Sequence, residues 1–282
     1  MQNQFKMFSI LPLLCAALFA CTEKKEIPVL SPAEQPIDKN WAFETTPMWE
    51  DNFSTNGNPD VTKWGFDVGG SGWGNNELQY YTSSGNARIE NGILSIDAKK
   101  ENNSGMQYTS ARMITKGKGD FLYGRIEVRA KLPKGRGTWP AIWTLSTDQE
   151  YGTWPASGEI DIMEHVGYDP NKVHSSVHTT AFNHIKNTQK TAFKMIPDAT
   201  DAFHIYRIDW TPYAIRSYID GQMYFEFVNE GTGFTTWPFN KKQHLLLNIA
   251  VGGNWGGVQG VDNTIFPATM QVDYVRVYKM IP

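Results

Sequence analysis

The chain has 282 residues, a formal net charge of −3 and an aromatic content of 13%, with ten tryptophans and twelve tyrosines. This composition gives no basic surface of the kind that binds nucleic acid, and its length without an N-terminal leader, roughly 240 residues, suits one domain with a large core. Tryptophan in such numbers favours half-exposed rings, which stack on sugars, over the alternative of a purely aromatic core.

The first 20 residues are predicted to be a lipoprotein signal peptide. Lys6 supplies a positive charge, and the apolar run at 7–20 is too short to span a bilayer comfortably. The run ends in Leu-Phe-Ala-Cys, which resembles the bacterial lipoprotein signal, in which the cysteine becomes lipidated. We therefore expect lipid on Cys21 and an exported protein anchored to the bacterial outer membrane, facing the periplasm or the cell surface. The alternative is an ordinary signal peptide with an incidental cysteine.

The rest of the chain divides into a tether and one domain. Residues 21–40 are charged and rich in proline, which predicts a flexible tether. Residues 41–282 show no internal repeat and no second change of composition, so we expect one catalytic domain. Both cysteines, Cys15 and Cys21, lie at the leader, so the mature fold is expected to depend on its core rather than on disulfides.

Alternation with a period of two dominates the domain and predicts strands. Ile126, Val128 and Ala130 alternate with charged residues, as in a half-buried strand. Asn-Gly and Asp-Gly turns predict hairpins over 88–98 and 213–228. Further strands are predicted at 107–115, 139–145, 159–165, 173–179, 203–210, 244–251 and 271–278. We therefore expect an all-β fold, a β-sandwich jelly roll of two antiparallel sheets.

The segment 158–165, Gly-Glu-Ile-Asp-Ile-Met-Glu-His, carries the most informative pattern. On a strand Glu159 and Asp161 share one face, and strict alternation would bury Glu164 at a high cost. One extra residue at Ile162-Met163, a β-bulge, would return Glu164 to the acidic face. If that face is concave, the two glutamates can approach the separation of about 5–5.5 Å that a retaining glycosidase needs.

Two other interpretations of this segment are open. A solvated edge strand would also be acidic, but the intervening residues are too apolar for an edge. A metal site could use Glu159, Asp161 and His165, although alternation directs His165 to the face opposite Glu164.

The acidic segment is one of several that together closely resemble glycoside hydrolase family 16 and its bacterial laminarinases. The others, in chain order, are GWGNNELQYYT at 72–82, SAR at 110–112, WPAIWTL at 139–145, SVHTTAFNH at 176–184, LNIAVGGNW at 247–255 and VDYVRVY at 272–278. The resemblance implies a concave substrate cleft with Glu159 as nucleophile, Glu164 as general acid/base and Asp161 assisting them. It implies no cofactor for catalysis. The extra residue in the acidic segment places the chain in the laminarinase, agarase and carrageenase group.

The resemblance also implies substrate-binding residues, namely Asn76, Arg112, Trp139, Trp143, His178 and Trp255. For several of these a structural role is the alternative: Trp139 and Trp143 could be core residues, Asn76 a turn residue and His178 a satisfied structural histidine. Asp273 lies among apolar residues in a strand and needs a partner. In the family the matching aspartate, with main-chain carbonyls near Asn52 and Gly92, holds a structural calcium ion.

The function that the resemblance implies is endo-hydrolysis of internal β-1,3 linkages of a β-glucan, extending to mixed β-1,3/1,4 chains, by double displacement in a monomeric enzyme. An agarase or carrageenase of the same family is a rival, although a sulfated galactan would need more basic residues. A non-catalytic β-glucan-binding lectin is another rival, but such relatives lose the acids. Transglycosylation differs only in whether water or sugar takes the intermediate.

Overall fold

The structure, a computed structural model, describes residues 36–281. The predicted leader, Cys21 and most of the tether lie outside the described residues. Within 36–281 no helix has the length and apolar character needed to cross a bilayer. The predicted division into leader, tether and domain stays a prediction.

The described residues form twenty strands and two short 3₁₀ helices. In chain order the elements are β1 (Ala42–Phe43), β2 (Trp49–Asp51), β3 (Gly65–Asp67), β4 (Gln79–Tyr81), β5 (Ala87–Glu90), β6 (Ile93–Ala98), β7 (Tyr108–Ser110), β8 (Arg112–Ile114), β9 (Asp120–Phe121), β10 (Gly124–Lys131), β11 (Thr138–Ser146), β12 (Glu159–His165), β13 (Lys172–His178), η1 (His184–Lys186), β14 (Lys190–Met195), β15 (His204–Trp210), β16 (Ala214–Ile219), β17 (Gln222–Val228), β18 (Gln243–Val251), η2 (Asn263–Ile265), β19 (Ala268–Tyr278) and β20 (Met280–Ile281).

Two eight-stranded antiparallel sheets contain most of these strands. The inner sheet has the order β14-β13-β12-β11-β18-β8-β3, with β9 also paired to β18. The outer sheet has the order β17-β16-β15-β10-β19-β6-β5, with β2 also paired to β19. Strands β11–β14 and β15–β17 pair in chain order, whereas β10, β18 and β19 pair with strands distant in sequence, as in a jelly roll, and the predicted fold class is confirmed. Two small sheets, β1-β20 and the parallel pair β4-β7, complete the described fold.

One core fills the space between the two sheets, because alternate residues of each strand face inward. In β10 the predicted residues Ile126, Val128 and Ala130 are buried, and the charged residues between them are partly exposed. From the inner sheet, Ile160 and Leu247 meet them in the same cluster. Burial of this much apolar surface without disulfides is the dominant stabilising contribution.

Both predicted hairpins are confirmed. In each turn the two central residues have the left-handed backbone of a type I′ turn, with φ of 53° and 79° at Asn91-Gly92 and of 49° and 77° at Asp220-Gly221.

The predicted single strand at 107–115 is wrong, since the chain divides there into β7 and β8. Strand β7 lies outside the inner sheet and pairs in parallel with β4, whereas β8 belongs to the inner sheet and pairs with β18 and β3. Strand β14 was not predicted. Its two large apolar residues, Phe193 and Met195, are 54% exposed and therefore do not mark a buried face.

Candidate active site

Strand β12 lies between β11 and β13 in the inner sheet and carries the predicted bulge. Its register to β13 shifts between Asp161 and Glu164, and its pairing with β11 skips Ile162. Both Ile162 and Met163 are therefore buried in the core, on the side opposite the acids. The bulge is confirmed, and it returns Glu164 to the face that carries Asp161.

A glycine sets the entry into this strand. Gly158 has φ of 81°, and a Cβ at this position would lie 2.7 Å from both Pro238 and Phe239. Only glycine combines this backbone conformation with so close an approach. The sequence therefore fixes where the acidic strand begins.

The three acids line one cavity of about 410 Å³ on the inner sheet. Tryptophans form much of its wall, and the polar lining comes from strands β8 and β18, from the loop before β4 and from η1. The tryptophans are Trp73, Trp139, Trp143 and Trp154, and the other polar lining residues include Asn75, Glu77, Arg112, His184 and Asn248. A cavity of this size with convergent acids and apolar walls has the character of a small-molecule or saccharide site.

The electrostatics of the cavity disfavour three negative charges. Burial raises the pKa of Glu159, of Asp161 and of Glu164 to about 8 in each case. For the two glutamates the neighbouring Asp161 carboxylate contributes to this raised pKa, because like charges at close range oppose ionisation. At least one carboxyl therefore keeps its proton near neutral pH, which is what general acid catalysis requires.

The two glutamates have different neighbours. The Trp139 Nε1 donates to Glu164 Oε1 at 3.0 Å, which favours the ionised form of that acid. His178 Nε2 lies 3.7 Å from Glu159 Oε1 and 3.3 Å from Asp161 Oδ2. The two ends of the acidic strand thus differ in their surroundings.

His178 is 6% exposed and lies behind the acids, not among the residues that line the cavity. Its pairing with Glu159 across β12 and β13 fixes this position. The structure thus places His178 against the acids, as the resemblance implies, and its assignment to substrate binding stays a prediction.

The metal alternative built on His165 is also wrong. His165 is fully buried, and its Nε2 lies 3.0 Å from the Pro170 carbonyl oxygen. In the described residues, the potential ligand atoms that do converge belong to Glu159, Asp161 and His178, within 4.8 Å of one another.

The predicted tryptophans are cavity walls and not core residues. Trp143 Nε1 donates to Asn248 Oδ1 at 2.7 Å, and Trp139 meets Trp255 edge-on with 5.5 Å between ring centroids. Trp255 itself is half-buried at the rim, outside the cavity lining. The wall thus combines stacking surface with fixed N–H groups.

Arg112 enters the cavity between two indole rings. Its guanidinium carbon lies 4.8 Å from the Trp73 centroid and 4.7 Å from the Trp143 centroid, and its Nε is 2.9 Å from Asp67 Oδ2. Stacking and the ion pair hold the guanidinium in one orientation. Its remaining N–H groups are available to a ligand.

Comparison with known proteins bears on the same residues. The family model described as "Glycosyl hydrolases family 16" matches residues 74–276, which include the acidic strand and all of the cavity lining except Trp73. The chain belongs to glycosyl hydrolase family 16.

Relatives within family 16 cover most of the chain. A Beta-glucanase of Rhodothermus marinus is 52% identical over 243 residues, 83% of this chain and 85% of that protein. The structure of the laminarinase from Rhodothermus marinus matches with a TM-score of 0.84 and 51% identity, covering 86% of this chain and 99% of that one. A non-specific endo-β-1,3(4)-glucanase of the family, crystallised with an oligosaccharide at its active site, matches with a TM-score of 0.80 and 44% identity, covering 87% and 97%.

In this family 16 domain the asparagine that reaches the cavity is not the predicted one. Asn76 is exposed, has φ of 56°, and donates from Nδ2 to Asn254 Oδ1 at 2.8 Å. The left-handed turn directs Asn75 and Glu77 to the cavity instead. Asn76 thus makes a loop–loop contact beside the cavity, and its assignment to substrate binding stays a prediction.

Several cavity residues were missed from the sequence, among them Glu77, Trp154 and Asn248. Glu77 is buried, accepts from Gln79 Nε2 at 2.6 Å, and has its pKa raised by burial. Trp154 has a buried Nε1 without a protein partner. Asn248 interrupts the apolar run of β18, and a polar residue in such a run is the signal that could have identified it.

The residues of the predicted calcium site lie on the outer sheet. The pairing of β2 and β6 with one edge of β19 brings Asn52 and Gly92 close to Asp273. The Asp273 carboxylate is paired with the Arg129 guanidinium, and Asn52 Oδ1 accepts from Arg276. An arginine is thus the partner that Asp273 needs at this position. The carbonyl groups of Asn52 and Gly92 would supply only part of the oxygen ligands that calcium requires.

Proposed function

We propose that this protein is a retaining endo-β-glucanase that hydrolyses internal β-1,3 linkages, and mixed β-1,3/1,4 linkages, by double displacement. The observation that carries the proposal is the set of three carboxyls on one bulged strand, with Asp161 buried and Glu159 and Glu164 partly buried, in a cavity walled by tryptophans. The names of three similar family members, a Beta-glucanase, a laminarinase and an endo-β-1,3(4)-glucanase, support the substrate.

The proposed reaction assigns one role to each glutamate. The Glu159 carboxylate attacks the anomeric carbon while the protonated Glu164 donates its proton to the leaving glycosidic oxygen. Glu164 then deprotonates a water molecule, which attacks the glycosyl–enzyme ester and releases Glu159. The like charge and burial that raise the pKa of Glu164 favour its protonated form before the first step.

Asp161 and His178 are proposed to position the nucleophile. The Asp161 carboxylate lies between the two glutamates on the strand, and His178 Nε2 contacts both Asp161 and Glu159. A proton held among these three groups lets Glu159 ionise without leaving a second unpaired charge in the cavity.

The remaining cavity residues are proposed to bind the sugar. The faces of Trp139 and Trp143 offer stacking surface on either side of Ala141. Arg112 and Asn248 offer fixed donors for hydroxyl groups, and the Glu77 carboxyl offers acceptors. Such groups recognise a neutral polyol without requiring charge on it.

The rival functions have less support. Among the cavity-lining residues that the structure describes, Arg112 is the one arginine or lysine, whereas a sulfated galactan would need several cations. A lectin would not need three buried acids, which are unfavourable unless they serve chemistry. Transglycosylation remains a side reaction of the same intermediate.

A panel of soluble polysaccharides tests the proposal. Laminarin and mixed-linkage glucan are expected to release reducing ends and short oligosaccharides, with agarose and carrageenan unchanged. Product sizing distinguishes endo cleavage, which lowers the mean chain length early, from release of single sugars. Cleavage of agarose or carrageenan but not of laminarin would overturn the proposal, and binding without cleavage would identify a lectin.

We also propose that the protein is exported and lipid-anchored through Cys21 in the outer membrane. The support is the sequence of the leader and of the polar segment behind it. Wild-type protein is expected to sediment with membranes, and Cys21→Ala to give soluble protein or uncleaved precursor. Recovery of the wild type in the soluble fraction without detergent would contradict the anchor.

A structural calcium ion at Asn52, Gly92 and Asp273, and a monomeric state, complete the proposal. The register that brings these residues together supports the ion, and the Arg129 guanidinium at Asp273 opposes it. Calcium is expected to raise the melting temperature of the wild type but not of Asp273→Asn, measured against magnesium as a control. Size-exclusion chromatography with light scattering tests the monomer.

A further inference from the structure

The inner sheet continues past the acids for two strands that the cavity does not reach. Glu164 is paired with His174 on β13, and His174 is paired with Phe193 on the edge strand β14. Directly paired residues of antiparallel strands share one face of a sheet, so both side chains stand on the face of Glu164. Two strand spacings extend this face about 10 Å beyond the acid.

Aromatic rings follow this direction in an unbroken series. The series begins at Trp139, whose indole N–H donates to Glu164. The distances between ring centroids are 5.5 Å from Trp139 to Trp255, 5.0 Å from Trp255 to His174, and 5.8 Å from His174 to Phe193. These are the spacings of edge-on and tilted ring contacts. We call Trp255, His174 and Phe193 the ring row.

The ring row does not serve the core. Phe193 is 54% exposed on an edge strand, and Trp255 and His174 are half-buried. Lys172 Nζ lies 4.9 Å from the Phe193 centroid and is itself paired with Asp169. Such exposure of an aromatic ring gains little stability and leaves apolar surface in water.

The charge of the row suits a neutral ligand. Burial, together with the charge on the nearby Lys172, lowers the pKa of His174 to about 4, so the imidazole is uncharged at neutral pH. The charged groups that face the row from the packed elements are Lys172, compensated by Asp169, and Glu164 at its inner end. An uncharged ring surface beside the acids matches the apolar faces of sugar rings.

We propose that the ring row binds additional sugar units of the β-glucan chain whose scissile bond lies over the acids. The continuity of the rings with the cavity wall at Trp139 identifies the occupant, because a chain that leaves the cavity along this face must cross them. The inference rests on the proposed function and extends it. It makes Phe193 and His174 determinants of preference for long chains over short ones.

Binding by a Glu159→Gln protein tests the ring row without turnover. Calorimetry with β-1,3-linked glucose oligosaccharides of increasing length is expected to show a gain in affinity once the chain reaches β14. Phe193→Ala in the same background is expected to lose that gain, weakening Kd for the longer oligosaccharides by about 2- to 12-fold. His174→Phe, which keeps a ring, is expected to retain it.

Met223→Ala is the matched control. Met223 is 51% exposed, but it lies on β17 of the outer sheet, so its removal should leave the length dependence intact. An identical length dependence with and without Phe193 would overturn the inference. Self-association that depends on Phe193, without any effect on sugar affinity, would assign the row to a second copy of the chain and overturn it equally.

The proposed function fails by a different result. If the unmutated protein hydrolyses no β-glucan and the Glu159→Gln protein binds none at any length, the substrate class is wrong. If glucan is hydrolysed and bound but Phe193 is without effect, only the ring row is wrong.

Discussion

The Trp139 indole N–H donates to a carboxylate oxygen of Glu164 at 3.0 Å, so one residue both walls the cavity and sets the acidity of the proposed general acid. This donor lowers the pKa of Glu164 against the effects that raise it. Its loss should therefore raise that pKa further.

Trp139→Phe is the variant that isolates this N–H, because it keeps a ring in the wall. General acid catalysis needs protonated Glu164, so activity falls as the pH rises through its pKa. We expect the alkaline limb of kcat/KM to move to higher pH in Trp139→Phe. Trp143→Phe, which loses an N–H bonded to Asn248 instead, should weaken catalysis without moving that limb. Equal displacement in both variants would contradict the assignment of Glu164.

The stereochemistry of hydrolysis tests the two-step reaction. A retaining enzyme gives a β-configured reducing end from a β-linked substrate, and proton NMR in the first minutes should detect it before mutarotation. Early appearance of the α-anomer would exclude Glu159 as a nucleophile.

Azide rescue separates the roles of the two glutamates. With an activated β-glycoside, Glu159→Ala should lose nearly all activity and recover part of it with azide, giving an α-glycosyl azide. Glu164→Ala should give a β-glycosyl azide, because its nucleophile remains. The same azide anomer from both variants would show that the roles are wrongly divided.

The buried acids should make the stability of the fold depend on pH. Their pKa values are raised from an unfolded value of about 4 to about 8, so between these pH values the folded state binds more protons than the unfolded state. The free energy of unfolding therefore falls as the pH rises from about 4 to about 8, and its value is highest at the acidic end of this window.

Asp161→Asn should remove part of this dependence, because an amide of the same size carries no charge at either pH. The melting temperature of Asp161→Asn minus that of the wild type is expected to be larger at pH 8.5 than at pH 4.5. These two pH values lie near the two ends of the window set by the shifted pKa values, and differential scanning calorimetry measures the difference. Glu230→Gln, a neutralisation at an exposed position, is the control. A constant difference between Asp161→Asn and wild type at both pH values would be inconsistent with a buried charge.

Gly158→Ala should be destabilising for a steric reason. The new Cβ would lie 2.7 Å from Pro238 and Phe239 and would also meet the left-handed backbone. Gly221→Ala introduces the same backbone strain at φ of 77° with nothing within 4 Å. We expect Gly158→Ala to lower the free energy of unfolding by about 1–3 kcal/mol more than Gly221→Ala does, as measured by urea denaturation. Equal losses would mean that the neighbours of Gly158 move aside.

Local alternation was enough to predict the fold class and the acidic strand. The bulge between Glu159 and Glu164 can be predicted from adjacent residues alone, because an apolar pair inside an alternating segment can be buried only by a bulge. Strand β14 could not be predicted in this way, since Phe193 and Met195 face away from the core. The direction of side chains in loops could not be predicted either. The left-handed backbone at Asn76 decides whether Asn75 or Asn76 reaches the cavity.

Tertiary register decided the remaining differences. His178 lies behind the acids because of how β13 pairs with β12, and the sequence of β13 alone does not encode that pairing. Asp273 needed a partner, as predicted, but its identity as Arg129 depends on a strand 144 residues away. Two of the cavity residues that the sequence missed, Glu77 and Trp154, come from connections between strands.

The bulge of β12 also governs how this strand tolerates changes of length. Removal of Met163 would leave Glu-Ile-Asp-Ile-Glu, in which plain alternation still places all three acids on one face. The loss would fall on the core, as an unfilled volume where one buried side chain had been. An insertion or deletion between Glu159 and Asp161 would instead turn one of the acids into the core. The bulge is therefore the one point on the strand where a residue can be lost while all three acids stay on the same face of the sheet.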